Sequence, residues 1–147
     1  MLAACLAIAF APGATGVLFP PGAWYAQLAK SPLTPPGSVF PIAWTLLYAT
    51  MGVALFELLR NTVRGQRRGP LALFAVQLAL NAAWSWIFFG LHAPAAALVE
   101  IACLWVAIAA AALAFARHSR LAGALLLPYL AWVGFATYLT WAIVRAN

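Results

Sequence analysis

From Leu2 to Val144 the chain consists of five long apolar runs separated by short clusters of proline, glycine and arginine, and that pattern restricts it to a bilayer. A helix needs about 17–25 apolar residues to cross the hydrocarbon, and the runs near residues 2–19, 38–59, 70–91, 94–116 and 121–144 each meet that length. Only 7% of the residues are charged, against roughly 25% in an ordinary globular domain, so no water-facing surface can be assembled from them. The expectation is an all-α membrane protein with a single domain over residues 1–147, a bundle of five transmembrane helices and no separate soluble domain. Met1 to Phe19 reads as a retained first helix, because the run lacks the basic segment of a cleaved leader. Pro70 and Pro94 fall at first-turn positions, where a missing N–H costs nothing. Pro12-Gly13 and Pro128 lie inside runs and predict kinks.

The net charge of +6 does not point to nucleic acid, since the basic residues sit at loop ends and form no face interleaved with stacking aromatics. Their distribution orients the chain. Arg60, Arg64, Arg67, Arg68, Arg117 and Arg120 fall on one side, Lys30 and Arg145 on the other. The positive-inside rule then makes the amino terminus cytoplasmic and places the carboxyl terminus across the membrane. Cys5 and Cys103 have neither CxxC spacing nor neighbouring histidines, and His92 and His118 sit at run ends without a second axial partner. The expectation is therefore no metal site and no fixed haem. Glu57, one turn before Arg60, predicts a helix-end ion pair.

The one long connection, Pro20 to Gly37, carries Trp24, Tyr25, Leu28 and Lys30 and then the segment SPLTPP. It predicts a short amphipathic helix followed by an extended proline-rich strap, either a lid or an interfacial anchor. Aromatics concentrate in the half of the bilayer beneath it: Trp44 and Tyr48, Trp84 to Phe89, Tyr138 and Trp141. A belt would appear at both faces, so the asymmetry favours an aromatic-lined cavity. Gln77, Asn81, Trp84 and Phe88 share one helical stripe, as do Trp132, Phe135, Ala136 and Leu139. Asn81 must find a partner away from lipid, which turns its stripe inward, though plain helix packing with one interhelical hydrogen bond accounts for the same pattern. Opposite it, Ala75, Ala79 and Ala83 offer a close-approach face for a second copy or for a neighbouring helix. Ala107 and Ala111, and Ala110 and Ala114, repeat that spacing on the fourth run. Glu100, the one acidic residue well inside a run, is a functional candidate. Its possible partners are a ligand cation, Asn81, Lys30 or a backbone carbonyl.

Four segments carry a resemblance. WYxxLxK at Trp24 to Lys30, PPxxVFPxAWTxLY at Pro35 to Tyr48, QLALNxxW with IFFG from Gln77, and PYLAWxxFAT at Pro128 to Thr137 occur in order. Together they resemble the translocator protein family, also called tryptophan-rich sensory proteins, TspO/MBR or peripheral-type benzodiazepine receptors. The resemblance implies a five-helix bundle, often a homodimer, in which the long loop between helices 1 and 2 caps a pocket. It implies a receptor, sensor or carrier that binds tetrapyrroles (protoporphyrin IX, haem) and isoquinoline or benzodiazepine ligands, with no obligatory cofactor and with membrane lipid as a further partner. Two alternatives are a porphyrin-degrading enzyme acting through Trp44 and Trp132, the positions that resemble tryptophans tied to that chemistry, and a lipid- or sterol-binding scaffold. The implied ligand set is Trp24, Tyr25, Pro35 and Pro36 in the lid, with Phe40, Trp44, Tyr48, Asn81, Trp84, Phe88, Trp132, Phe135 and Ala136 below; Glu100 joins it from the intramembrane argument. The chain departs from the family in having Ser31 after the lid lysine and small side chains near Leu33 and Ser38. At the carboxyl end Trp141 stands where a sterol-recognition stretch has tyrosine.

Overall fold

The computed structural model describes all 147 residues and contains helices but no strands. The first run is two short helices, α1 (Leu2–Phe10) and α2 (Gly13–Leu18), divided at Ala11–Pro12. Proline at position 12 has no N–H to give the preceding turn, and the Thr15 hydroxyl closes the gap by donating to the Pro12 carbonyl at 2.8 Å. The loop carries one short helix, α3 (Ala23–Gln27), then an extended strap. The second span is α4 (Val39–Asn61). The third is α5 (Arg68–Ser85), continued by a π-helical turn at Trp86–Gly90. The fourth, α6 (Pro94–Ala116), begins on its proline as expected. The fifth is α7 (Arg120–Ala124) followed by α8 (Leu127–Ala146). The break between them lies just before Pro128, where the sequence predicted a bend. Four of these units are long and apolar enough to cross a membrane unaided, and Leu2–Leu18 is a shorter apolar piece beside them.

Neighbours in the bundle are not neighbours in sequence. α1 packs on α4, α4 on α7 and more sparsely on α8, α8 on α6, α6 on α5, and α5 back on α2. The circuit of spans is therefore one, two, five, four, three. Close approach is bought with small residues. A Cβ on Gly52 would lie 2.7 Å from Leu6 Cδ2 and 2.9 Å from Leu6 Cα, and one on Gly123 would lie 2.6 Å from Ala116 Cβ. A contiguous core of Met51, Leu58, Leu104, Ile108, Phe115, Tyr129 and Val133 fills the centre. Ala111 and Ala112 on α6 are buried in it, whereas Ala75 and Ala79 on α5 are exposed. The small-residue faces thus divide, one serving internal packing and one pointing away from the bundle.

At the arginine-rich end, Arg60 pairs with Glu57 at 3.2 Å as expected. Arg67 holds the end of α4 by donating to the Leu59 and Thr62 carbonyls at 2.6 and 2.8 Å, which occupies carbonyls a helix end otherwise leaves bare.

A candidate ligand site under an aromatic lid

Asn81 is the centre of the interior. It is 6% exposed, and its amide joins three spans: the Tyr48 hydroxyl on α4 donates to Asn81 Oδ1 at 2.9 Å, and Asn81 Nδ2 donates to the Tyr129 hydroxyl on α8 at 2.9 Å. The amide stands on α5, one turn from Gln77 and from Trp84, so the periodicity of that helix aims all three inward. Trp44 stacks on Tyr48 with ring centroids 5.4 Å apart and meets Tyr129 edge-on. Phe10 covers Tyr48 from the first span. A Cβ on Gly13 would come 3.2 Å from the Tyr48 ring, so glycine lets α2 close over it.

Above this layer a continuous aromatic column rises into the lid. Trp84 stacks on Phe88 at 4.9 Å and 16°. Phe88, 1% exposed, receives the edges of Trp24 and Tyr25 from α3. Trp24 also lies flat on His92 at 4.3 Å, and His92 holds a positive φ of 52° to present its ring there. Lys30 caps Tyr25 with its ammonium 4.6 Å from the ring centroid, and burial pushes the Tyr25 phenol up. The strap then runs down α8. The Asn147 amide exchanges two hydrogen bonds with the backbone of Ala29, at 3.0 Å each, and Ser31 meets the Tyr138 hydroxyl at 3.2 Å. No residue from Pro20 to Ser38 is fully buried, so these few contacts and the aromatic stack hold the lid. Pro35 lies half-buried in the strap and Pro36 is exposed.

The second predicted stripe is placed differently. Phe40 meets Trp132 edge-on at 6.0 Å, and Trp132 meets Phe135 at 5.8 Å. Trp132 and Phe135, however, line a groove of about 470 Å³ between α4 and α8 with Ala43, Leu46, Leu47, Thr50, Pro128 and Ala131. That groove is the seam where these two helices touch least, and it opens sideways. Ala136 is half-buried against the core. Tyr138, Trp141 and Trp86 are 39%, 45% and 48% exposed, so part of the aromatic asymmetry belongs to the outer surface of the bundle.

Glu100 pairs with neither Asn81 nor Lys30. Asn81 is bonded to the two tyrosines, and Lys30 Nζ donates to the Ala26 and Leu28 carbonyls. Both carboxyl oxygens of Glu100 are covered and without partners, as are Trp84 Nε1 and the amide of Gln77. Each such orphan costs about 1–3 kcal/mol. No cluster of three metal-binding side chains exists. Sequence reasoning missed Tyr129, His92 and the Asn147 clip. Only Tyr129 left a signal, standing one turn before Trp132 on the same helix.

A model described as the TspO/MBR family matches residues 1–145. The chain belongs to the TspO/MBR family. It is 43% identical to tryptophan-rich protein TspO of Chlorobaculum tepidum, over 99% of this chain and 95% of that one. It is 40% identical to the tryptophan-rich sensory protein of Cereibacter sphaeroides, over 97% and 88%. To the human translocator protein it is 39% identical, over 84% and 75%. A TspO/MBR chain with four long apolar helices and a shorter fifth is an integral membrane protein. Its tryptophans mark two places, the column over Asn81 and the α4–α8 seam, and Trp44 and Trp132 stand one in each.

Proposed function

We propose that the protein is a membrane receptor or carrier for flat aromatic ligands of the tetrapyrrole class, taken up between the lid and the Tyr48–Asn81–Tyr129 layer. The observation that carries this reading is the column of Trp24, Phe88, Trp84 and Trp44 rings. They are held over a polar layer inside a bundle whose lid has no buried residue. A macrocycle stacks on such rings at spacings they already keep with one another, and a mostly apolar site with few polar groups suits its hydrocarbon faces. Lys30 and Arg145 stand at the lid end, with Arg145 5.4 Å over the Trp141 ring, where they attract the carboxylates of a tetrapyrrole left at the surface. The lid end is assigned to the non-cytoplasmic side on the arginine count. The exposed Ala75–Ala79 face of α5 is assigned to a second copy of the chain.

The test is quenching of tryptophan fluorescence by protoporphyrin IX in detergent, for the wild type and the Trp44→Phe and Trp132→Phe variants. Each variant is expected to weaken binding about tenfold, one stacking contact apiece. Affinity unchanged in both overturns the site, and no saturable quenching of the wild type overturns the function.

A further inference from the structure

Three of the orphaned atoms described above fall at one level of the bundle. Phe88 on α5, Ala97 on α6 and Ile143 on α8 form one buried cluster. These helices run antiparallel at both contacts, so one turn further from the lid each presents its next inward residue: Trp84, Glu100 and Thr140. A second contact fixes the same register, because a Cβ on Gly134 would lie 3.3 Å from Trp105 Nε1. Residue 97 is thus level with 143, 105 with 134, and Glu100 with Thr140. Trp84 packs against the same cluster from the third side. Its indole Nε1 and both oxygens of Glu100 are covered and unpaired. Thr140, 2% exposed, donates its proton to the Ala136 carbonyl at 2.8 Å and keeps its oxygen lone pairs.

We propose that Trp84, Glu100 and Thr140 form a hydrogen-bonding floor of the ligand site. This floor selects planar ligands that carry an N–H beside a C=O on the ring edge, as lactams and cyclic amides do. The inference rests on the ligand-binding reading above and names the chemistry of its polar contact. The indole N–H has only a donor to give, so it takes the carbonyl. The Glu100 carboxyl and the Thr140 oxygen supply acceptors for the adjacent N–H. A ring of the same shape without that N–H leaves the acceptors as bare as they are in the free protein, and a site built around a hydrogen bond rejects such an analogue strongly. The aromatic column above supplies the stacking surface, which does not tell the two ligands apart. Discrimination therefore reports on the floor alone.

The experiment compares quinolin-2-one with N-methylquinolin-2-one by equilibrium dialysis against the full chain in detergent micelles, for the wild type, Glu100→Gln and Glu100→Leu. The wild type is expected to hold the N–H compound at least about tenfold tighter. Glu100→Gln keeps an acceptor and preserves most of that ratio, while Glu100→Leu brings it to about one. Affinity for the N-methyl compound stays constant across the three and shows that the variants are folded. Equal affinities in the wild type, or a ratio that survives Glu100→Leu, overturn the floor. If protoporphyrin IX still quenches the wild type in that case, the floor falls alone. If neither it nor either quinolinone binds, the ligand-binding reading falls and takes the floor with it.

Discussion

Replacing Asn81 with leucine keeps the volume of the side chain and removes the only amide that joins α4, α5 and α8. Two hydrogen bonds of 2.9 Å disappear, and two tyrosine hydroxyls are left among apolar neighbours, Tyr129 fully buried and Tyr48 7% exposed. Interhelical hydrogen bonds in membrane proteins average about 0.6 kcal/mol and reach about 1.7, and an abandoned buried hydroxyl adds its own cost. Asn81→Leu is therefore expected to destabilise the bundle by about 1–3 kcal/mol, read from reversible unfolding in mixed detergent and dodecyl sulfate micelles by circular dichroism. The sharper readout is a sign. In the wild type, Tyr48→Phe strips a partner from Asn81 and destabilises. In the Asn81→Leu background the same change removes an unpaired hydroxyl and stabilises. Two changes that share a partner do not add. If Tyr48→Phe has the same sign and size in both backgrounds, the bridge contributes nothing and the interior is held by apolar packing alone.

Gly52→Ala is expected to cost about 1–3 kcal/mol in the same unfolding assay, since the new methyl meets the backbone of Leu6 and forces α1 off α4. Gly123→Ala acts likewise at the α6–α7 crossing, while Gly65→Ala, with nothing near its Cβ, leaves stability within about 0.5 kcal/mol. Asn147→Ala removes both hydrogen bonds to Ala29 and a third to the Ile143 carbonyl. Amide exchange across residues 28–34 is expected to quicken about fivefold, roughly 1 kcal/mol of local opening, with the interior unaffected. Ala79→Phe places a large ring on the exposed face of α5. It is expected to abolish crosslinking between copies without changing the monomer's melting temperature, and dimers that persist would move the contact elsewhere.

The spans were legible because the bilayer imposes a length that few other environments demand, and Pro94 and the Pro12 division fall where proline chemistry puts them. Asn81, Tyr48, Trp84 and Phe88 were legible for a related reason: an amide in an apolar helix has to turn inward, and residues at its spacing turn with it. Trp132 and Phe135 were read onto an inward stripe of the same kind. Their helix meets α4 only sparsely, and a stripe on a helix without a close neighbour lines a seam as readily as a core. Tyr129 was passed over because tyrosine near a helix start also serves as an interfacial anchor, and nothing local marks the hydroxyl's partner 48 residues earlier. The polar clip at Asn147 and the His92 stack depend on where the loop lands, which no periodicity encodes. Glu100 was marked by its charge, yet its lack of any partner became visible only once α5 and α8 stood beside it.

The circuit of spans has a bearing on how the chain comes together during synthesis. Span two is made early, but the flank it turns toward α7 and α8 finds its cover only when the last segment emerges, some 80 residues later. Until then that flank faces lipid, and the ring stays an open horseshoe whose ends are the second and fourth spans. Assembly is thus governed by the most distant pairing in the sequence, which slows it, and a chain stalled before its final helix has the first four segments in place and no closed interior to offer a ligand.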